Sequence, residues 1–184
     1  KQRQDLLSDS RENADKAADI LLQLYHRLAD EYGRNWRQDL ITSQLFAIPE
    51  QEVVEAFSLL AVLGQADIPT RTIHFRMRVP DEYGKPKASL TVSGEAYVFG
   101  LLDCVGELDR VIFNSLKNNQ TEFLKRIFKK MEELYTELER FREFPNRKDP
   151  KMKTKNFANL QHRIEVCGGK VFRCRKLLED RGIL

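Results

Sequence analysis

Apolar positions along this chain recur at two periods. From Glu12 to Tyr32, residues Ala14, Ala17, Ile20, Leu21, Leu24, Tyr25 and Leu28 return at helical spacing, and Gly33 closes the run. A shorter helical piece is expected around Trp36 to Phe46. Pro49 suits the first position of the next helix, where a missing N–H leaves no bond unmade, and "EQEVVEAFSLLAVL" carries that helix to Gly64. The period then shortens. Ile73, Phe75, Met77 and Val79 alternate with Thr72, His74, Arg76 and Arg78, "PDEYGKP" supplies turn chemistry, and "ASLTV" reads as a returning strand.

Helical spacing resumes at Ser93, whose hydroxyl can cap a helix that runs to about Lys117, where "KNNQ" breaks it. Thr121 is expected to cap the following helix. Its core face comprises Phe123, Leu124, Ile127, Phe128, Met131, Leu134, Tyr135, Leu138 and Phe141. After "FPNRKDP", a last helix runs from about Lys151 to Asp180 with Gly168-Gly169 in its middle. An interior glycine costs about 0.5–1 kcal/mol relative to alanine, so the pair marks a kink or a close helix contact. The expected architecture is all-α: a bundle of six to seven helices in one domain over residues 1–184, with a short β-hairpin near residues 72–92.

Composition narrows the function only a little. A net charge of +3 permits an anionic partner without requiring one. Cys104, Cys167 and Cys174 form no CxxC pair and lie in apolar helical patterns. They read as buried thiols of a reducing cytosol, not as a disulfide or zinc framework, so a cytoplasmic location is expected. No apolar run reaches the roughly 18 residues of a membrane span, and no membrane partner is expected.

The stretch "GEAYVFGLLDCVGELDRVIF" places Asp103 within an apolar run and Glu107 one helical turn later. A carboxylate withdrawn from water neutralises or finds a cation. Acids of the Thr121 helix have basic neighbours, with Glu122–Arg126, Lys129–Glu133, Glu137–Arg140 and Glu139–Arg142 the expected pairs. Asp103 has none at helical offsets, where Phe99, Gly100, Gly106 and Glu107 stand. Around Glu55 the same offsets hold Gln51, Glu52, Ser58 and Leu59. Glu52 and Glu55 thus share a face of one helix, and Asp103 and Glu107 a face of another. If the faces meet, the four carboxylates converge, and a hard divalent cation, Mg²⁺ or Mn²⁺, is the natural compensation. Two plainer readings stand beside this one: Glu50 and Glu52 favour a helix dipole from its first turn, and Glu107 bridges to Arg110.

At these residues the chain resembles the translin superfamily, and within it translin-associated factor X. "EVVEAFSLL" is similar to that protein's E-x-x-E-A helix. Tyr97, Gly100, Asp103, Gly106, Glu107, Leu108, Arg110, Asn114 and Ser115 match its Y-x-x-G-x-x-D-x-x-G-E-L-x-R-x-x-x-N-S segment. "LQHRIEVC" to "LLEDRG" is similar to its closing helix, and the resemblance covers Glu50 to Leu184. The N-terminal region does not align cleanly with the family's leading helices, and neither the hairpin nor Gly168-Gly169 belongs to the family pattern. The resemblance implies an all-helical fold in closed, hollow oligomers, commonly octamers, that bind RNA and single-stranded DNA. It implies a Mg²⁺-dependent endoribonuclease with Glu52, Glu55, Asp103 and Glu107 as catalytic and metal-holding residues. A homo-oligomer is expected, with assembly beside a translin-like subunit as the alternative.

The expected chemistry is metal-assisted hydrolysis of a phosphodiester. Arg76, Arg78, Lys85, Lys87 and Arg110 are the candidates for phosphate contact, which reads no base sequence. For Arg76 and Arg78 the plainer reading is a strand edge kept soluble by charge. Rival functions are a binding oligomer without catalysis and an all-α nucleoside triphosphate pyrophosphohydrolase. The latter expects a nearby E-x-x-D, whereas the next acids here form a more distant D-x-x-x-E. A ferritin-like di-iron site is disfavoured, because His26, His74 and His162 form no E-x-x-H motif.

Overall fold

Five α-helices and a two-stranded sheet account for most of the described residues, which in this computed structural model are 2–33, 46–76, 87–118, 120–142 and 155–184. The order is α1 (Gln2–Tyr32), α2 (Ala47–Gly64), β1 (Thr72–Arg76), β2 (Lys87–Thr91), α3 (Gly94–Ser115), α4 (Thr121–Glu139) and α5 (Lys155–Glu179). A 3-10 turn, Leu116–Asn118, leads from α3 towards α4. The helix count is thus below the expected six to seven among the described residues. The piece expected around Trp36 lies outside them apart from Phe46, as do "PDEYGKP" and the expected start of the last helix at Lys151. The chain divides into two compact units, Lys1–Gly100 and Leu101–Leu184.

In the first unit, α1 packs on α2 and on both strands. The strands pair antiparallel with Ile73 opposite Leu90 and Phe75 opposite Ala88, so the period-2 pattern turns Ile73, Phe75 and Leu90 into the core. Val53, Val54, Phe57 and Val62 of α2 are buried as well. The buried face of α1 differs from the expected one. Ala14, Leu21 and Tyr25 are buried, but Ala17 is exposed, Ile20 is 65% exposed and Leu24 40%, while Asp15 and Asp19 face inward. Burial of these acids is offset in part from their own helix: Arg11 donates to Asp15 at 3.0 Å and Gln23 to Asp19 Oδ2 at 3.1 Å.

Helix ends follow local chemistry with three exceptions. Gly33 ends α1 at φ 75°, its N–H bonded to the Ala29 carbonyl at 3.0 Å. The Ser93 hydroxyl accepts from the Ala96 N–H at 3.2 Å and starts α3. The left-handed residue after α2, however, is Gln65 at φ 62° rather than Gly64, and Pro49 stands two residues inside that helix. Thr121 is the first residue of α4, and the cap position falls to Gln120 without a side-chain bond.

In the second unit, α3, α4 and α5 run down, up and down again. Arg142 meets Glu165, Tyr135 meets Gly168 and Glu132 meets Arg175, so α4 and α5 are antiparallel. Leu102 and Asp103 of α3 meet Cys167 and Arg163 of α5, and Asp109, further along α3, meets Arg173 and Cys174, further along α5, which makes those two parallel. Leu124, Ile127, Phe128, Met131, Leu134 and Leu138 form the buried face of α4 as expected, with Phe123 and Tyr135 half-buried and Phe141 at its exposed end. Charge pairs on α4 favour three-residue spacing: Glu122–Lys125, Lys130–Glu133 and Glu137–Arg140, of which the last was expected. Of the alternatives set by Gly168-Gly169, close contact holds at Gly168. A Cβ there would lie 2.5 Å from the Tyr135 hydroxyl, whereas Gly169 faces open space.

Candidate functional site

The acids of the first unit lie on α2. Glu50 is buried at 4% exposure and joins three segments: the Tyr25 hydroxyl of α1 donates to its Oε1, and the Ser93 N–H, at the start of α3, donates to its Oε2 at 2.8 Å. A first-turn acid read as serving the helix dipole is therefore also a structural bridge. Glu52 is exposed and Glu55, one turn on, is half-buried. Between them α2 receives the N-terminal turn of α3. A Cβ on Gly100 would stand 2.6 Å from both the Gln51 carbonyl oxygen and the Val54 Cβ, so only glycine permits this approach.

Asp103 and Glu107 follow Gly100 along α3 at three and seven residues, the offsets that return to one side of a helix. Both belong to the second unit, and both are half-buried. The helical-neighbour count had left Asp103 without a base, but α5 supplies one: the Arg163 guanidinium donates to Asp103 Oδ1. Glu107 pairs with Arg110 at 2.7 Å, the plainer of its two expected roles. Gly106 lies between them, and a Cβ there would meet Lys170 Nζ at 2.8 Å. The missing side chain lets the ammonium rest against the α3 backbone, beside the acids.

One turn further, Asp109 is 7% exposed, accepts from Arg173 at 2.5 Å and receives the Cys174 thiol at 3.2 Å. Burial first, then this bond to Asp109, pushes the Cys174 thiol up to about 12, and hydrogen bonding to Asp109 also raises the Arg173 guanidinium. The Cys167 thiol, raised chiefly by burial, donates to the Leu102 carbonyl at 3.4 Å. Arg163, Lys170, Arg173 and Asp109 were absent from the sequence-based candidates. The spacing of seven and three residues along α5 sets its three cations on one side of the helix, a signal present in the sequence.

Arg76 is exposed on β1, opposite Lys87 in the register, and Arg110 is exposed beside Glu107. Arg78 and Lys85 lie outside the described residues. Among the described residues, no group of three or more His, Cys, Asp and Glu side chains is placed to hold one metal ion. In donor chemistry the Asp103 and Glu107 carboxylates offer hard oxygen of the kind a divalent cation takes, and within the second unit they already pair with two cations of the chain itself, Arg163 and Arg110.

The Translin family profile matches residues 1–176. The chain belongs to the Translin family. This Translin-family chain is similar to an uncharacterized protein of Methanocaldococcus jannaschii, 33% identical over 94 residues, which are 50% of this chain and 35% of that one. It thus spans about a third of the length of the curated relative it matches. The crystal structure of AfC3PO shares the translin-type helical fold, with a TM-score of 0.50 and 18% identity over 94% of this chain and 83% of that one. Among the described residues no helix is long and apolar enough to cross a membrane.

Proposed function

We propose that this Translin-family protein binds RNA, and single-stranded DNA by the same backbone contacts, and cleaves RNA as a metal-dependent endoribonuclease. The observation that carries this is the face of α3 on which Asp103 and Glu107, one turn apart, are bordered by Arg163, Lys170 and Arg110. Interleaved acids and bases suit a phosphodiester and a divalent cation together. The acids that the family resemblance implies as ligands of Mg²⁺ or Mn²⁺ are Glu52 and Glu55 on α2 and Asp103 and Glu107 on α3. Such an ion supplies Lewis-acid polarisation of the phosphate and a water of lowered pKa. The chain's own cations would orient the phosphates, Arg163 with a planar fork and Lys170 as a point charge, and would read no base sequence. A closed homo-oligomer in the cytoplasm is the setting proposed, with light scattering on the pure protein as its check.

A second reading is binding without cleavage, favoured by the pairing of Asp103 with Arg163 and of Glu107 with Arg110, which satisfies both acids without any metal. One assay separates the two: cleavage of a labelled single-stranded RNA by the natural protein and by Asp103→Ala, each with Mg²⁺ and with EDTA. Cutting that requires both Asp103 and the ion is the expected outcome. Retained binding with no cutting under any condition establishes the binding protein instead.

A further inference from the structure

Asp103 is held by a cation that the same carboxylate would have to surrender, in whole or in part, to a divalent ion. We propose that Arg163 is a latch on the acidic face of α3. It holds Asp103 while no divalent cation is present, yields when one binds, and turns its guanidinium to a nucleic-acid phosphate. This rests on the metal-dependent reading above and adds its regulation.

Three features of the second unit support the exchange. The Asp103–Arg163 pair is reached by water, with side chains 26% and 30% exposed, so a released guanidinium is solvated at once. The deeper Asp109 carboxylate is only 10% exposed and is held by a thiol as well as by Arg173. The helices themselves need not move. The Cys167 thiol bonded to the Leu102 carbonyl, and the Cys174 thiol bonded to Asp109, pin α5 to α3 on either side of Lys170, leaving the change to the Arg163 side chain. Guanidinium also matches phosphate as well as it matches carboxylate, in the same bidentate geometry. Nucleic acid that takes Arg163 therefore releases Asp103 for metal, and by linkage each ligand tightens the other.

The test measures Mn²⁺ binding by calorimetry on the full chain, with and without a single-stranded DNA oligonucleotide, which on the reading above is bound but not cut. Arg163→Met should bind Mn²⁺ about fivefold tighter than the natural protein in the absence of oligonucleotide, the equivalent of one partly exposed ion pair. The oligonucleotide should tighten Mn²⁺ binding by the natural protein about fivefold more than it tightens that of Arg163→Met. Arg163→Lys, which keeps a cation on α5, should fall between the two and serves in place of the methionine variant if that does not fold. Equal Mn²⁺ affinity in all three proteins overturns the latch while the metal-dependent reading stands. No Mn²⁺ binding by any of them overturns both.

Discussion

In each unit a carboxylate joins segments far apart in the chain, and the two junctions use opposite materials. Glu50 is buried and bonded to neutral donors, the Tyr25 hydroxyl and the Ser93 N–H. Asp103 is half-buried and bonded to a guanidinium on α5. A buried acid satisfied by fixed neutral donors has no cheaper partner available, because water is excluded and the donors belong to the scaffold. An acid at a wet ion pair keeps a choice of cations, since each is solvated when released. Partner charge and exposure thus separate an acid fixed in the scaffold from one that can exchange its cation.

Substitution of the two acids gives the largest expected contrast. Glu50→Ala leaves the Tyr25 hydroxyl and the Ser93 N–H without their acceptor and should cost about 3 kcal/mol in urea unfolding, as for two hydrogen bonds to a buried charged group. Asp103→Ala should cost less than about 1 kcal/mol in the same experiment. Equal losses would erase the distinction between the two junctions.

The glycines sharpen it at a smaller scale. Gly100→Ala drives a methyl against the α2 backbone and should destabilise by about 1–3 kcal/mol. Gly168→Ala meets instead the hydroxyl end of Tyr135, a side chain that can swing away, and gains about 0.5–1 kcal/mol of helix preference. Its unfolding midpoint should stay near that of the natural protein.

The last effect vanishes at neutral pH and belongs to the alkaline range. The Cys174 thiol holds its proton up to about 12 in the folded chain, against an ordinary value of 9.0 once unfolded. Its contribution is therefore whole below the ordinary value and is lost as pH rises through that window. Thermal unfolding followed from neutral pH upward should show a falling midpoint, and Cys174→Ala should flatten that fall without abolishing it, because the Cys167 thiol is raised as well.

Much of the fold was legible because periodicity reports burial directly. The alternation from Thr72 to Arg76 became a strand with the expected inward residues, and the apolar face of α4 came out nearly whole. For α1 the pattern misled. The buried face is rotated towards Asp15 and Asp19 and away from Ile20 and Leu24, and bonds to Arg11 and Gln23 help to offset the burial of the two acids. The acidic pairs were legible as residues without basic helical neighbours, but such a count sees one helix at a time. Arg163 lies 60 residues from Asp103 in sequence, and only the parallel packing of α5 on α3 brings them together.

Gly106 shows how a residue without charge can govern charge. Its missing side chain is the berth of the Lys170 ammonium, and the group displaced by any larger residue is the free end of a flexible chain. Drift at this position would thus leave the shape of the bundle nearly alone and change the potential felt beside Asp103 and Glu107. The size of the residue at this place sets the field of the acidic face without touching any acid or base.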